Sequence, residues 1–216
     1  KLIVYGNRYR TTNTKIDEGD QITDVYIAVT ENVGDISLTE YIRSHGPLDQ
    51  NTALYIGVQI CEGLLEFHKK GFVHRDIKPD NIMMFSTDSN NIHIKIIDFG
   101  AAKTIQKGQN ADTTVVGTLG YQAPESLSSI TQEPADIFAI GCVLNFMLTG
   151  QEPGIQRYTE KSSIVSIIEK STNIDPSSRY FSVDELKKVL LHELRFHKLD
   201  KIPLVRSLPG FRTHTF

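Results

Sequence analysis

The stretch that most limits how this chain can fold is Ile137 to Leu148, which is apolar on nearly every side. A helix without a polar face must be surrounded, so other elements have to pack all round it. It is too short to cross a bilayer and carries Asn145 inside it, which fits a core helix better than a membrane span. The wrapping elements can be found by period. Between Asp49 and Lys70, Leu54, Val58, Cys61 and Leu65 fall at i, i+4, i+7 and i+11, and Ile56, Ile60, Leu64 and Phe67 widen the stripe. Lys69-Lys70-Gly71 supplies cations and a left-handed cap to end that helix. Ser162–Lys170 and Ser182–Leu194 read as shorter amphipathic helices, the second opening on the capping box Ser182-Val183-Asp184-Glu185. Cys61 and Cys142 both lie on apolar helical stretches, which predicts buried free thiols and suits a reducing cytoplasm.

The remaining order is strand-like. Leu2–Tyr5 and Val25–Val29 are β-branched and aromatic runs, and the polar Thr11–Asp24 between them, with its Glu-Gly-Asp turn signal, predicts a solvated hairpin-like loop. A connector, Thr30–Gly34, leads to a short helix at Ile36–Arg43. Ile82–Phe85 and Ile92–Ile97 predict two strands joined by the polar turn Ser86–Asn91. Ala101–Ser128 has little periodicity, and a structureless loop of that length is usually functional or disordered. Leu199–Phe216 reads as linker. The fold class is therefore α+β: two strands and a connector, then a mainly helical body carrying a small β-ribbon. At 216 residues this is one large domain or two small ones. A net charge of −3 gives no general attraction to nucleic acid or anionic membrane. No signal peptide and no membrane span are expected within the chain. It begins at Lys1, directly inside a strand-like run, which predicts further residues upstream.

Two polar loops interrupt the apolar elements. Val73-His74-Arg75-Asp76-Ile77-Lys78-Pro79-Asp80-Asn81 lies between the long helix and a strand, and Asp98-Phe99-Gly100 follows the next strand. A lone His-Arg-Asp is usually a solvated turn, and a lone Asp-Phe-Gly a turn after a strand. In this order and spacing they resemble the catalytic and metal-binding loops of protein kinases, specifically the eukaryotic-type (Hanks-type) serine/threonine branch. Further matches follow in sequence: Gly117-Thr118 and Tyr121 before Ala123-Pro124-Glu125, Asp136 opening the apolar helix, and Arg179 after Asp175-Pro176.

The resemblance implies ATP-dependent transfer of the γ-phosphate to Ser/Thr hydroxyls of proteins, with Mg²⁺ as cofactor. Asp76 would be the carboxylate beside the acceptor hydroxyl, and Lys78 would meet the γ-phosphate. Asn81 and Asp98 would hold magnesium. Gly100 would let the chain turn after the metal ligand. Val29–Val33 resembles the hinge that reads adenine through its backbone. There Thr30 would stand at the back of the pocket, the Glu31 carbonyl and Val33 amide would touch adenine, Met83 would be its floor, and Ser37 could approach the ribose; each is equally readable as scaffold. His74 and Phe99 would belong to a stacked apolar column. Asp136 would anchor the catalytic loop's backbone, and Glu125 would pair with Arg179. Arg75 would be satisfied by a phosphate on Thr113 or Thr114, which read equally well as solvated loop threonines. Lys78, with Thr118 facing it, resembles serine/threonine rather than tyrosine kinases, which place Ala-Ala-Arg or Arg-Ala-Ala in that loop. The region Leu208–Thr213 and the compact Gly150–Asp175 segment resemble bacterial members.

The resemblance covers part of a kinase. Within these residues there is no Gly-rich phosphate loop, no Val-Ala-Ile-Lys strand and no glutamate-bearing partner helix. Residues 1–33 would be a partial small lobe with the hinge, 34–198 the large lobe, and 199–216 a tail. One explanation is a kinase whose upstream residues lie outside this sequence, in which case the 216 residues alone would transfer little phosphate. The other is a kinase-fold binding module or decoy, although a decoy has no need to keep Asp76, Lys78, Asn81 and Asp98 together. Small-molecule phosphotransferases share an aspartate loop but lack the Lys78 position and the Gly-Thr…Ala-Pro-Glu segment. Cytoplasmic placement follows, either free or as the cytoplasmic domain of a membrane-anchored kinase.

Overall fold

A computed structural model describes residues 11–18, 21–28, 36–86, 92–99, 103–104, 120–128 and 133–196. The first element is a hairpin, β1 (Thr11–Glu18) and β2 (Gln21–Ala28), paired antiparallel from Thr11↔Ala28 to Glu18↔Gln21. This corrects the expectation of a loop over Thr11–Asp24. Thr11, Thr12, Thr14 and Ile16 are β-branched and suit a strand, and the register leaves only two residues for the turn. Leu2–Tyr5 and Thr30–Gly34 lie outside the described residues.

β3 (Ile36–Ser37) enters α1 (Leu38–His45). Ser37 is extended, φ −75° and ψ 159°, so the helix begins two residues later than the sequence suggested. Its hydroxyl accepts from Glu40 N at 3.2 Å while the Glu40 carboxylate accepts from Ser37 N at 2.9 Å, a complete capping box. α2 (Gln50–Lys69) starts on Asp49, whose side chain accepts from Asn51 and Thr52 amides, and stops before Gly71 at φ +78°. β4 (Phe72–Val73) pairs with β7 (Lys103–Thr104), the described strand within the span expected to be structureless. β5 (Ile82–Ser86) pairs with β3 on one side and β6 (Ile92–Ile96) on the other. Gln59 on α2 closes the free edge of β6, donating to Ile92 O at 3.0 Å and accepting from Ile94 N at 3.1 Å. A side-chain amide thus takes the place of a fourth strand.

α3 (Glu133–Thr149) contains the predicted apolar helix, and Ala139 to Leu148 is buried throughout. α2 packs against it, and α2 also meets β6 and α5 (Val183–Phe196), the last helix among the described residues. Ser182 accepts from Glu185 N at 3.2 Å, but the Glu185 carboxylate reaches Phe181 N at 2.7 Å instead of Ser182 N. The box at α5 is therefore displaced by one residue. Cys61 and Cys142 are free and buried; burial raises both thiols, Cys142 to about 12, which leaves them protonated and inert. No helix among the described residues is long and apolar enough to cross a membrane.

α4 (Ser163–Ser171) crosses α3 at Gly141. A Cβ there would lie 2.7 Å from both Ser171 Cβ and Thr172 Cγ2, closer than atoms can approach. Gly141→Ala gains roughly 1 kcal/mol of helix propensity, yet must force the two helices apart at a cost of about 1–3 kcal/mol. A net loss of stability is expected in urea unfolding. An unchanged midpoint would mean that α4 can move away without penalty.

Candidate active site

The polar loop leaves β4 and passes over the N-terminal turn of α3, where Asp136 waits with its side chain fully buried. One carboxylate oxygen accepts from His74 N at 2.9 Å and the other from Arg75 N at 2.8 Å. His68, in the last turn of α2, places Nε2 2.7 Å from the same oxygen that His74 N reaches, and Nδ1 3.5 Å from Glu133. Burial by itself would raise the Asp136 carboxyl, but the His68 contact and charge, with help from His74, hold it below the ordinary aspartate range. Arg75 is held at φ +69°, a left-handed conformation that a side chain normally avoids, so the two backbone hydrogen bonds also fix a strained turn. His68 was missed from the sequence. Its signal is its position, i+7 from Cys61 on the buried stripe, where a histidine needs a polar partner.

Beyond Arg75 the loop turns its functional groups to one point. Lys78 Nζ lies 2.9 Å from Asp76 Oδ2, and Asn81 Nδ2 donates to the same oxygen at 2.9 Å and to the Asp76 carbonyl at 2.8 Å. The Asp76 and Lys78 side chains are only 12% and 20% exposed, so their attraction is weakly screened. Pro79–Asn81 forms a single 3₁₀ turn that brings Asn81 back to Asp76. Ile97 N donates to Asn81 O at 2.9 Å and so carries the β5–β6 pairing one step further, with Asp98 next in the chain at that end of the ribbon. Asp98 is exposed and sits at φ +60°.

Asn81 and Asp98 are the pair expected to hold magnesium. Asn81 Nδ2 is engaged with Asp76, which leaves the amide oxygen as the donor a hard cation takes. With a carboxylate nearby, the donor set fits Mg²⁺, which takes one or two protein oxygens and completes its shell with water and phosphate. Among the described residues no cluster of three His, Cys, Asp or Glu forms a closed protein cage.

Behind the loop an aromatic column runs through His74. Its ring lies 4.9 Å from Phe99 and 6.3 Å from Phe67, which in turn lies 5.2 Å from Phe99 and 5.4 Å from Phe72. Burial pushes the His74 pKa down, against the pull of Asp136, Asp76 and Asp98, so the ring packs as a neutral group. Phe67 and Phe72 extend the column beyond His74 and Phe99, the two members expected from sequence.

Glu125 and Arg179 meet in a bidentate pair, 2.6 and 2.8 Å, with the guanidinium fully buried and the carboxylate 21% exposed. Arg179 also donates to the carbonyls of Asn173, Pro134 and Ile174 and lies 4.9 Å over the Phe138 ring. A surface salt bridge would leave most of those donors to water; here each is accounted for. Tyr121 donates to Glu152 at 2.9 Å, a contact the sequence did not suggest, because the two lie on separate irregular segments. Ser37 stands opposite Met83 across β3 and β5. The Ser37 hydroxyl donates to Glu40 and accepts from its amide, which leaves one lone pair for any other partner. Thr30, Glu31, Val33, Gly100, Thr113, Thr114 and Thr118 lie outside the described residues.

The sequence matches a family model described as protein kinase domain over residues 14–198. It is 38% identical over 137 residues to the serine/threonine-protein kinase cds1 of Schizosaccharomyces pombe, covering 60% of this chain and 29% of that protein. Against the serine/threonine-protein kinase PrkC of Bacillus subtilis it is 30% identical over 217 residues, 86% of this chain and 33% of the relative. Against PknB of Mycobacterium tuberculosis the identity is 33% over 129 residues, 58% and 20% respectively. The chain thus spans between 20% and 33% of the length of these three relatives.

The depressed Asp136 carboxyl makes a prediction about acid. Its folded pKa lies below that of an unfolded aspartate, about 3.9, so its stabilisation is complete above that value. It is lost as pH falls through the folded pKa. Asp136→Asn should lower stability at neutral pH and flatten the acid limb of the unfolding curve measured by circular dichroism. An acid limb identical to that of the parent would show that the carboxylate charge is not what holds the loop.

Proposed function

The chain belongs to the protein kinase family, and we propose that it is the catalytic lobe of an enzyme that moves the γ-phosphate of ATP to serine and threonine hydroxyls of proteins. The observation that carries the reading is the convergence of Lys78 and Asn81 on one oxygen of Asp76, at the end of the ribbon that leads to Asp98. A structural loop gains little from burying a lysine and an aspartate together, whereas phosphoryl transfer needs a carboxylate, a cation and metal-holding oxygens at one place.

In this scheme Asp76 accepts a hydrogen bond from the acceptor hydroxyl and turns its lone pair towards the γ-phosphorus. The new O–P bond forms as the bond from the γ-phosphorus to the β–γ bridging oxygen breaks, ADP departs, and the hydroxyl proton passes to Asp76. Lys78 moves its ammonium from Asp76 to the phosphoryl oxygens as charge develops there. Asn81 and Asp98 would hold Mg²⁺, which would supply positive charge against the negative charge of the phosphates. Asn81 also keeps Asp76 aimed after Lys78 has left it. Glu31, Val33, Ser37 and Met83 are assigned to the adenosine, and Thr118 to facing Lys78 across the acceptor. A phosphate on Thr113 or Thr114 is assigned to Arg75.

Residues 1–33 are assigned to the small lobe and hinge, 34–198 to the large lobe, and 199–216 to a linker. The buried free thiols favour a cytoplasmic setting, either free or beneath a membrane anchor. The 216 residues contain neither a Gly-rich loop nor a Val-Ala-Ile-Lys strand, so they are expected to transfer little phosphate by themselves. The second reading is a kinase-fold module that binds without catalysing.

Assays on the full-length protein separate the two. Asp76→Asn should lower turnover on a serine-bearing acceptor protein by at least about a thousandfold while leaving the fold intact. Retained turnover would sink the catalytic assignment. Asp98→Asn should weaken ATP binding only when magnesium is present. Calorimetric titrations giving equal affinities for parent and variant in magnesium would remove Asp98 from the metal site.

A further inference from the structure

β6 is the strand that leads into Asp98, and its backbone is fixed at both edges. On the inner edge Ile96 lies opposite Ile82, and Ile97 N donates to Asn81 O at 2.9 Å. On the outer edge stands the Gln59 amide, whose Nε2 donates to Ile92 O at 3.0 Å and whose Oε1 accepts from Ile94 N at 3.1 Å. This two-bond pattern fixes height as well as distance, because a slip of β6 along α2 would break both bonds at once. One turn further along α2, a Cβ on Gly63 would lie 3.2 Å from Ile96 Cδ1, so the helix and the strand touch there too. The same helix carries His68, nine residues past Gln59, bound to the Asp136 that holds the amides of His74 and Arg75. Both polar loops are therefore referred to one helix, with anchor points about 14 Å apart along its axis.

We propose that Gln59 is a positioning residue for the metal site. By holding β6 against α2 it sets where Asp98 stands relative to Asn81 and Asp76, and it governs magnesium affinity without touching the ion. The proposal rests on the assignment of Asn81 and Asp98 to magnesium made above. Plain protection of a strand edge needs only a long charged side chain such as lysine. Gln59 instead offers a donor and an acceptor together, as only an amide can, and it places them on the stretch that runs into Ile97 and Asp98. Magnesium demands near-ideal octahedral geometry, so a small displacement of one ligand is felt. Removing a group that orients a ligand from one step away typically costs about 10–100-fold in metal affinity.

Calorimetric titration of the full-length protein with ATP, over a series of magnesium chloride concentrations, tests this. Gln59→Met keeps the length of the side chain and removes both hydrogen bonds. It should raise the magnesium concentration that gives half of the gain in ATP affinity by about tenfold, and leave ATP affinity without magnesium at the parent value. Gln59→Asn keeps an amide one methylene too short for both bonds, and should move the same midpoint in the same direction by less. Gly141→Ala controls for lost stability: it loosens α3 against α4, away from β6, and should leave the midpoint in place. Circular dichroism checks that each variant is folded, and Gln59→Asn alone decides if Gln59→Met is not. Asp98→Asn separates the proposal from the reading beneath it. If Asp98→Asn removes the magnesium dependence while the folded Gln59 variants keep the parent midpoint, the positioning role is overturned and the metal site stands. A shift in Gly141→Ala as large as that in the Gln59 variants overturns it as well, since the effect would then be one of stability. If Asp98→Asn itself changes nothing, the metal assignment fails and this proposal with it.

Discussion

The structure depends on one carboxylate. Asp136 sits where the most buried helix begins and receives two backbone N–H groups from the polar loop and one ring nitrogen from the end of α2. Three segments that need not have met are joined at a fully buried point, where each hydrogen bond to a charged acceptor is worth about 1.5–3 kcal/mol. The helix N-terminus adds its own positive field to the same carboxylate. The loop's unusual turn at Arg75 follows from this, and so does the direction in which Asp76 leaves it.

The site is layered around that point. Asp136 holds backbone, the column of His74, Phe99, Phe67 and Phe72 fills the space behind, and only then do Asp76, Lys78 and Asn81 make contact with one another. The polar groups proposed to do the chemistry are thereby braced by groups assigned none. Arg179 repeats the device elsewhere. Its guanidinium ties the Glu125 segment, the start of α3 and the chain after α4 together by four separate acceptor groups.

How much of this was legible in the sequence follows from range. The periodic elements were: α2, α4 and α5 lie within a residue or two of where period and caps put them, because a stripe of Leu, Ile and Val records its own burial, while α3 begins three residues before the expected Asp136. The β5–β6 ribbon was legible for the same reason, and the resemblance singles out Asp76, Lys78, Asn81, Asp98, Asp136, Glu125 and Arg179 from sequence alone. The threonine-rich hairpin was misread because polar β-branched residues carry a strand signal that hydropathy ignores. Gln59 and Glu152 were not legible, and His68 signals by its place on the buried stripe only that it needs a partner. Each acts across long separations, on a partner whose position depends on the whole fold.

The bond between Arg75 and Asp136 joins positions 61 residues apart. During synthesis the polar loop leaves the ribosome well before α3 exists, and until α3 arrives the Asp136 carboxylate cannot hold Arg75 in its left-handed turn. Each new chain therefore passes through a stage in which all the loop's residues are present and their arrangement is not. Long-range closures of this kind are slow and come late in folding. Maturation of the loop's geometry is thus timed by α3, and a nascent chain stalled before it lacks that arrangement.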